Sequence, residues 1–176
     1  MFETRRARPS DAQTAFDIRL QGIRHQCIGA YSTEQMLVWT AGAAKDGYSD
    51  LMEKHFYLGC IQGEPMATGM LDLENREIGA IFVLPGFMGQ GIGLTMLNHL
   101  ECQARELGLK EVNLDATLNA VDFYRRYGYV GSEPSIYHSP SGLQLACVPM
   151  VKEFLPLSGR ANKGRQMTRQ AERRLS

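Results

Sequence analysis

The stretch IFVLPGFMGQGIGLTM, residues 81–96, sets four glycines between an apolar run and a segment with helical spacing. Downstream, Ile92, Met96, Leu97, Leu100, Ala104 and Leu107 recur at intervals of three and four. Gly108 follows where a helix C-cap glycine belongs. The stretch therefore predicts a strand, a glycine turn and a helix. The first amides of a helix have no partner inside it, and the helix dipole favours an anion, so such a turn suits a phosphate group. Spacing narrows the choice of ligand. Gly89 and Gly91 are followed by Ile92-Gly93-Leu94, which misses the third glycine of a dinucleotide fingerprint. Gly86 and Gly91 have the gap of a P-loop, but Ile92 stands where that loop needs lysine.

Around this centre, the order of elements is that of one α/β (α+β) domain. Ser10 and Asp11 offer N-caps for a helix bearing Ala15, Phe16, Ile18 and Ile23, and Ser32 with Gln35 fits a capping box for a second. Residues 55–85 change to short apolar or alternating runs, broken at Gly63-Glu64-Pro65 and Asn75-Arg76, which predicts three strands joined as antiparallel hairpins. KEVNLDAT reads as a strand and LNAVDFYRRYGY as a helix stopped by Gly128. YVGSEPSIYHS and LQLACVPMVKEF read as two closing strands.

Composition excludes little on its own. The 176 residues suit one domain, and 19 basic against 19 acidic residues name no partner. The charge is uneven, because residues 157–176 hold six basic residues against Glu172 alone. Such a segment reads as a solvated basic tail or a polyanion contact. It lacks the aromatics that stack on bases, which argues against nucleic acid. The domain is therefore placed at 1–156 and the tail at 157–176. Cys27, Cys60, Cys102 and Cys147 show no metal-ligand spacing and read as buried reduced thiols, so no metal is expected. No apolar run reaches the length of a membrane span, and MFETRRARPSDAQ lacks a signal-peptide core, so a cytoplasmic location is expected.

The glycine stretch resembles the acetyl-coenzyme A signature of the GNAT N-acetyltransferases, [Q/R]-x-x-G-x-[G/A], which follows a strand ending in V-x-P. Here it falls on Met88-Gly89-Gln90-Gly91-Ile92-Gly93 after IFVLP, with Met88 in place of the usual Gln or Arg. LDATLNAVDFYRRYGYV is similar to the family's second cofactor segment, so the likeness spans roughly residues 3–154. It implies a central mixed, mostly antiparallel twisted sheet of six or seven strands flanked by about four helices. Strands 4 and 5 splay apart to admit the pantetheine arm. The implied activity is acetyl transfer from acetyl-CoA to a primary amine of a small molecule or peptide, by direct attack in a ternary complex. The alternative is a non-catalytic acyl-CoA-binding sensor.

The resemblance also assigns residues. Backbone at Met88, Gly89, Gln90, Gly91, Ile92 and Gly93 would grip the diphosphate, and Phe82 and Val83 would pair with the pantetheine arm. Asn119 would hydrogen-bond that arm or cap the following helix. Tyr124 would protonate the departing thiolate, unless it is simply a core tyrosine beside Phe123 and Tyr127. Glu77 matches the family's glutamate base, and strict alternation puts residues 77, 79, 81 and 83 on one face. A solvated charge beside a turn is the plainer reading of Glu77. His138 and Glu133 are weaker candidates, and no covalent acyl-cysteine is expected. Tyr31, Trp39, His55 and the loop SIYHSPSG fall where the family selects its acceptor. Dimers are frequent among members, which leaves room for a homodimer.

Overall fold

The computed structural model describes residues 1–42, 48–139 and 142–155; the basic tail at 157–176 and positions 140 and 141 of SIYHSPSG lie outside them. In chain order the elements are β1 (Phe2–Arg6), α1 (Ala12–Gln26), α2 (Thr33–Trp39), α3 (Tyr48–His55), β2 (Phe56–Ile61), β3 (Glu64–Asp72) and β4 (Glu77–Val83), then α4 (Ile92–Glu106), β5 (Glu111–Thr117), α5 (Val121–Arg126), β6 (Ser135–His138) and β7 (Gln144–Glu153). The seven strands form one sheet in the order β1-β2-β3-β4-β5-β7-β6. Every neighbouring pair is antiparallel except β4 and β5. The mixed sheet matches expectation, with five helices described where about four were expected.

Local chemistry explains the boundaries. Ser32 accepts from the Gln35 amide at 3.1 Å while Gln35 Oε1 accepts from the Ser32 amide at 3.0 Å, so the expected capping box starts α2. Asp11 behaves differently from the simple cap expected of it. Its carboxylate accepts from the Arg8 amide at 2.7 Å and from Arg5, closing a 3₁₀ turn ahead of α1. Gln62 and Gly63 both have positive φ, as a tight β2–β3 hairpin turn requires. The α4 face of Ile92, Met96, Leu97, Leu100 and Ala104 is buried on one side of the sheet with Ile78, Val83, Leu114 and Met150. The other side is covered by α1 to α3.

Two irregularities in β4 determine how the sheet opens. The register runs Ala67↔Val83 and Thr68↔Phe82, then jumps to Met70↔Gly79, so β4 carries one extra residue, and Ala80 sits at φ +49. Buried Thr68 donates its hydroxyl to the Ala80 carbonyl at 2.8 Å, satisfying a group that the bulge removes from the ladder. The bulge inverts parity and corrects the expectation that 77, 79, 81 and 83 share a face. Ile78, Ile81 and Val83 pack on the α4 side, whereas Ala80 and Phe82 pack with the clusters beneath α1 to α3. Glu77 and Gly79 belong with the latter pair: a Cβ built on Gly79 would lie 3.1 Å from Met70 Cε and 3.6 Å from Glu77 Oε1. The second irregularity is the splay. β4 meets β5 in register only at Glu77↔Asn113, and the strands then part.

Candidate active site

The parting strands enclose a cavity of about 440 Å³ that reaches both faces of the sheet. It brings together Glu77, Phe82, Val83, Gly93, Asn119 and Tyr124. The remaining expected positions, Met88 to Ile92, lie beside it on the turn.

At the turn, Gly89 and Gly91 adopt φ +74 and +79, and a side chain on either would meet nothing within 4 Å. Glycine is thus required by backbone conformation and leaves open space over the main chain. Gly91 is the N-cap of α4 and supplies no side-chain cap; the first helical bond is Thr95 N–H to the Gly91 carbonyl at 2.9 Å. Among the described residues, the amides of 89–94 find no acceptor. Together with the helix dipole they make a donor set suited to a diphosphate. Met88 differs from the expectation: its amide donates to the Pro85 carbonyl at 3.3 Å and its side chain packs on the core, so it offers no free donor. Gln90 Nε2 donates to the Gly86 carbonyl at 3.2 Å, bracing the loop.

Tyr124 stands on α5 with its ring edge-on to Phe123 and Tyr129, at centroid distances of 5.1 and 5.5 Å. Its hydroxyl has no hydrogen-bond partner among the described residues, and burial pushes its pKa up to about 12. The phenol is therefore a proton donor throughout the neutral range. Asn119 is not the cap of α5; that position is Ala120, whose amide donates to the Thr117 carbonyl at 2.8 Å. The exposed Asn119 amide makes no hydrogen bond among the described residues and remains available to a ligand.

At the opposite end, burial raises the pKa of Glu77, and Asp115 and Asp72 add to it. Sequence reasoning missed Asp115. Its signal was the alternation of β5, where buried Val112, Leu114 and Ala116 put Asp115 on the other face, the one Glu77 shares. Arg19 was missed as well, although it falls one turn from Gly22 and Ile23 on the stripe of α1 that faces the sheet. Tyr137 completes this end: burial raises its pKa, Glu77 and Asp115 raise it further, and Arg19 lowers it. Tyr31 and Trp39 also line the cavity, 5.5 Å apart and edge to face. The Tyr31 hydroxyl donates to the Ala146 carbonyl at 2.7 Å and accepts from the Leu118 amide at 3.1 Å. His55, Glu133 and His138 are not among the residues lining this cavity.

Cys27 and Cys147 do line the cavity. Burial pushes Cys27 up to about 11, and burial with Asp115 raises Cys147, so both thiols stay neutral and weakly nucleophilic. Cys102 is exposed, correcting its assignment as buried. Among the described residues no three His, Cys, Asp or Glu side chains are grouped to hold a metal, and no helix is long and apolar enough to cross a membrane.

A mixed sheet opened at one parallel pair, with a glycine turn at the mouth, defines an acyltransferase-type α/β fold. The model of the acetyltransferase (GNAT) domain family matches residues 27–154, and the chain belongs to that family. No curated protein matches the sequence. Among solved structures, a GCN5-related N-acetyltransferase from Rhodopseudomonas palustris is 25% identical with a TM-score of 0.79, covering 86% of this chain and 95% of that one. The PaiA N-acetyltransferase of Thermoplasma acidophilum, in complex with coenzyme A, is 16% identical with a TM-score of 0.66, covering 88% and 99%. N-acetylglutamate synthase from Neisseria gonorrhoeae, with coenzyme A and N-acetylglutamate, is 14% identical with a TM-score of 0.61, covering 89% of this chain and 36% of that one.

Proposed function

We propose that the protein is an acetyl-CoA-dependent N-acetyltransferase that acts on a primary amine of a small molecule or peptide in a ternary complex. The observation that carries this reading is the cavity between β4 and β5, with a donor-rich turn and an unpartnered phenol at one end and a carboxyl of raised pKa at the other. The chain's residues fit the coenzyme. The free amides of 89–94 would hold the diphosphate, and backbone at Phe82 and Val83, beyond the last β4–β5 pair, would meet the pantetheine arm. Neighbours that carry coenzyme A on the same fold support this. Bound there, acetyl-CoA supplies an activated acetyl thioester.

Two side chains then manage protons. Glu77 removes one from the incoming ammonium, producing the neutral amine that attack requires, and its raised pKa brings it nearer to the task. Tyr124 holds a proton at its hydroxyl for the departing sulfur. The test is a panel of amino acids, polyamines, peptide N-termini and lysine peptides, scored by release of free coenzyme thiol. Release with at least one amine supports the reading; tight coenzyme binding with no release from any would make the protein an acyl-CoA sensor instead.

A further inference from the structure

The end of the cavity that holds Glu77 lies on the face of the sheet beneath α1 and α2, and strand register joins its parts. Tyr137 on β6 pairs with Leu145 on β7, so the two share a face, and Asp115 on β5 pairs with Pro149. Alternation along β7 puts Leu145, Cys147 and Pro149 on that same face. The Tyr137 hydroxyl feels both Glu77 and Asp115. The two carboxyl groups therefore stand at the margin of a wall formed by Cys27, Tyr31, Trp39, Met70, Phe82 and Leu145, all of which line the cavity. Among the described residues the Glu77 carboxyl accepts no hydrogen bond, so its oxygens are open to a ligand. Tyr124 is on the opposite side, packed against the α4 cluster.

These six residues offer little to a polar arm. Tyr31 spends its hydroxyl on the Ala146 carbonyl and the Leu118 amide, which leaves its ring for the cavity. Phe82 is seated on α1 at Gly22, where a Cβ would come within 3.2 Å of both the Phe82 Cβ and Cδ1, so the missing side chain fixes where the ring stands. Trp39 meets Tyr31 edge to face, and the Trp39 and Phe82 rings are only half-buried. Their remaining surface is what an apolar group would cover, and ring edges and faces favour another ring. A second charge placed there would lose its water without gaining a partner. The charge of Arg19, over the Phe16 ring, bears on Tyr137 and does not enter this wall. We propose that the acceptor is a small primary amine on an aromatic arm, an arylalkylamine in chemical class, with its ammonium at Glu77 and Asp115 and its ring against Tyr31, Trp39 and Phe82. The cavity is of the size that takes small ligands. This inference rests on the acetyl-transfer reading for the role of Glu77, and on the cavity alone for the ring site.

Trp39 is the one tryptophan of the chain, so its fluorescence reports on this wall whether or not an acetyl group moves. The experiment compares phenethylamine with ethylamine, which lacks the ring, and with putrescine, which carries a second ammonium in its place. It measures thiol release, and also calorimetric binding and Trp39 emission with the full chain loaded with coenzyme A. Phenethylamine should exceed each of the others by about 10-fold or more in kcat/KM and in affinity, the scale of burying one phenyl ring, and should shift the Trp39 emission. Trp39→Ala should raise KM and Kd for phenethylamine by about 10-fold or more while kcat/KM for ethylamine stays within about 2-fold. Trp39→Phe should retain most of the preference, and coenzyme affinity, measured separately, should show that each variant is folded. Ethylamine or putrescine equalling phenethylamine, an unchanged Trp39 emission, or a Trp39→Ala effect equal on phenethylamine and ethylamine overturns the proposal. Trp39-dependent binding of phenethylamine without any thiol release would uphold the ring site while sinking the transferase reading.

Discussion

At the level of single residues, the proposed mechanism depends on two protons held at opposite ends of one cavity. Tyr124 is held protonated by burial, with its pKa at about 12, so it should not produce an alkaline limb in kcat below about pH 11. Tyr124→Phe keeps the ring and its packing on Phe123 and Tyr129 while removing the donor. Turnover should fall by about 100-fold or more, with coenzyme affinity within about 2-fold. Equal losses in both, by stopped-flow and calorimetry, would reduce Tyr124 to a packing residue. As the proposed base, Glu77 must be ionised to act. Its pKa is raised by burial, Asp115 and Asp72, so kcat at saturating acceptor should fall as pH drops through a value above the usual carboxylate range. Asp115 disfavours the charged form of Glu77, so Asp115→Asn should move that acid limb to lower pH. Tyr137, which also faces Glu77, is left in place by Asp115→Asn. Glu77→Gln should remove the limb together with most of the rate.

Among the elements, the junction of turn and helix gives a test free of steric confusion. A Cβ on Gly91 would touch nothing, so Gly91→Ala costs only the left-handed backbone, about 1–2 kcal/mol, in the ligand-free protein. The same methyl would stand beside the unpaired amides. Coenzyme affinity should therefore fall by at least about 10-fold by calorimetry; an unchanged affinity would place the diphosphate elsewhere. This junction was legible in the sequence because glycine at a fixed place between a strand and a periodic helix has few other causes. The Ser32–Gln35 box and the β2–β3–β4 hairpins were legible for the same reason: local chemistry determines them. The bulge in β4 was not. Nothing in EIGAIFV requires Ala80 at φ +49; that conformation is held from outside, by Thr68 on β3. Strict alternation consequently set Glu77 on the wrong face. Asp115 and Arg19 escaped for a related reason, since a charge between buried neighbours looks solvated until tertiary packing brings a cavity to it.

Across the molecule as a whole, the splay that creates the site also weakens the sheet. Strands β1–β4 and β5–β7 share one register pair, and what else joins the halves is local. The Asn113 side chain donates to the Asn75 and Arg76 carbonyls at 2.8 and 3.1 Å, Tyr31 ties the start of α2 to Leu118 and Ala146, and α4 lies across the opening. Further along the helix, buried Glu101 accepts from Lys152 at 2.7 Å and from the Tyr129 hydroxyl at 3.1 Å, fastening α4 to β7. A ligand spanning the turn, β4 and α5 would add bonds across this seam in the folded state alone. At 100 times its Kd, coenzyme A should stabilise the protein by about 2.7 kcal/mol. For a domain of this length that corresponds to a melting-point rise of roughly 5–10 °C. Tyr31→Phe leaves the Leu118 amide and the Ala146 carbonyl without their partner and should lower the ligand-free melting point, by about 1–3 kcal/mol of stability. Because Tyr31 braces the seam and does not touch the diphosphate turn, the rise produced by coenzyme A should persist in that variant, whereas Gly91→Ala should lose most of it. The opposite pattern in differential scanning fluorimetry would mean that coenzyme A stabilises the fold from somewhere other than the opening between β4 and β5.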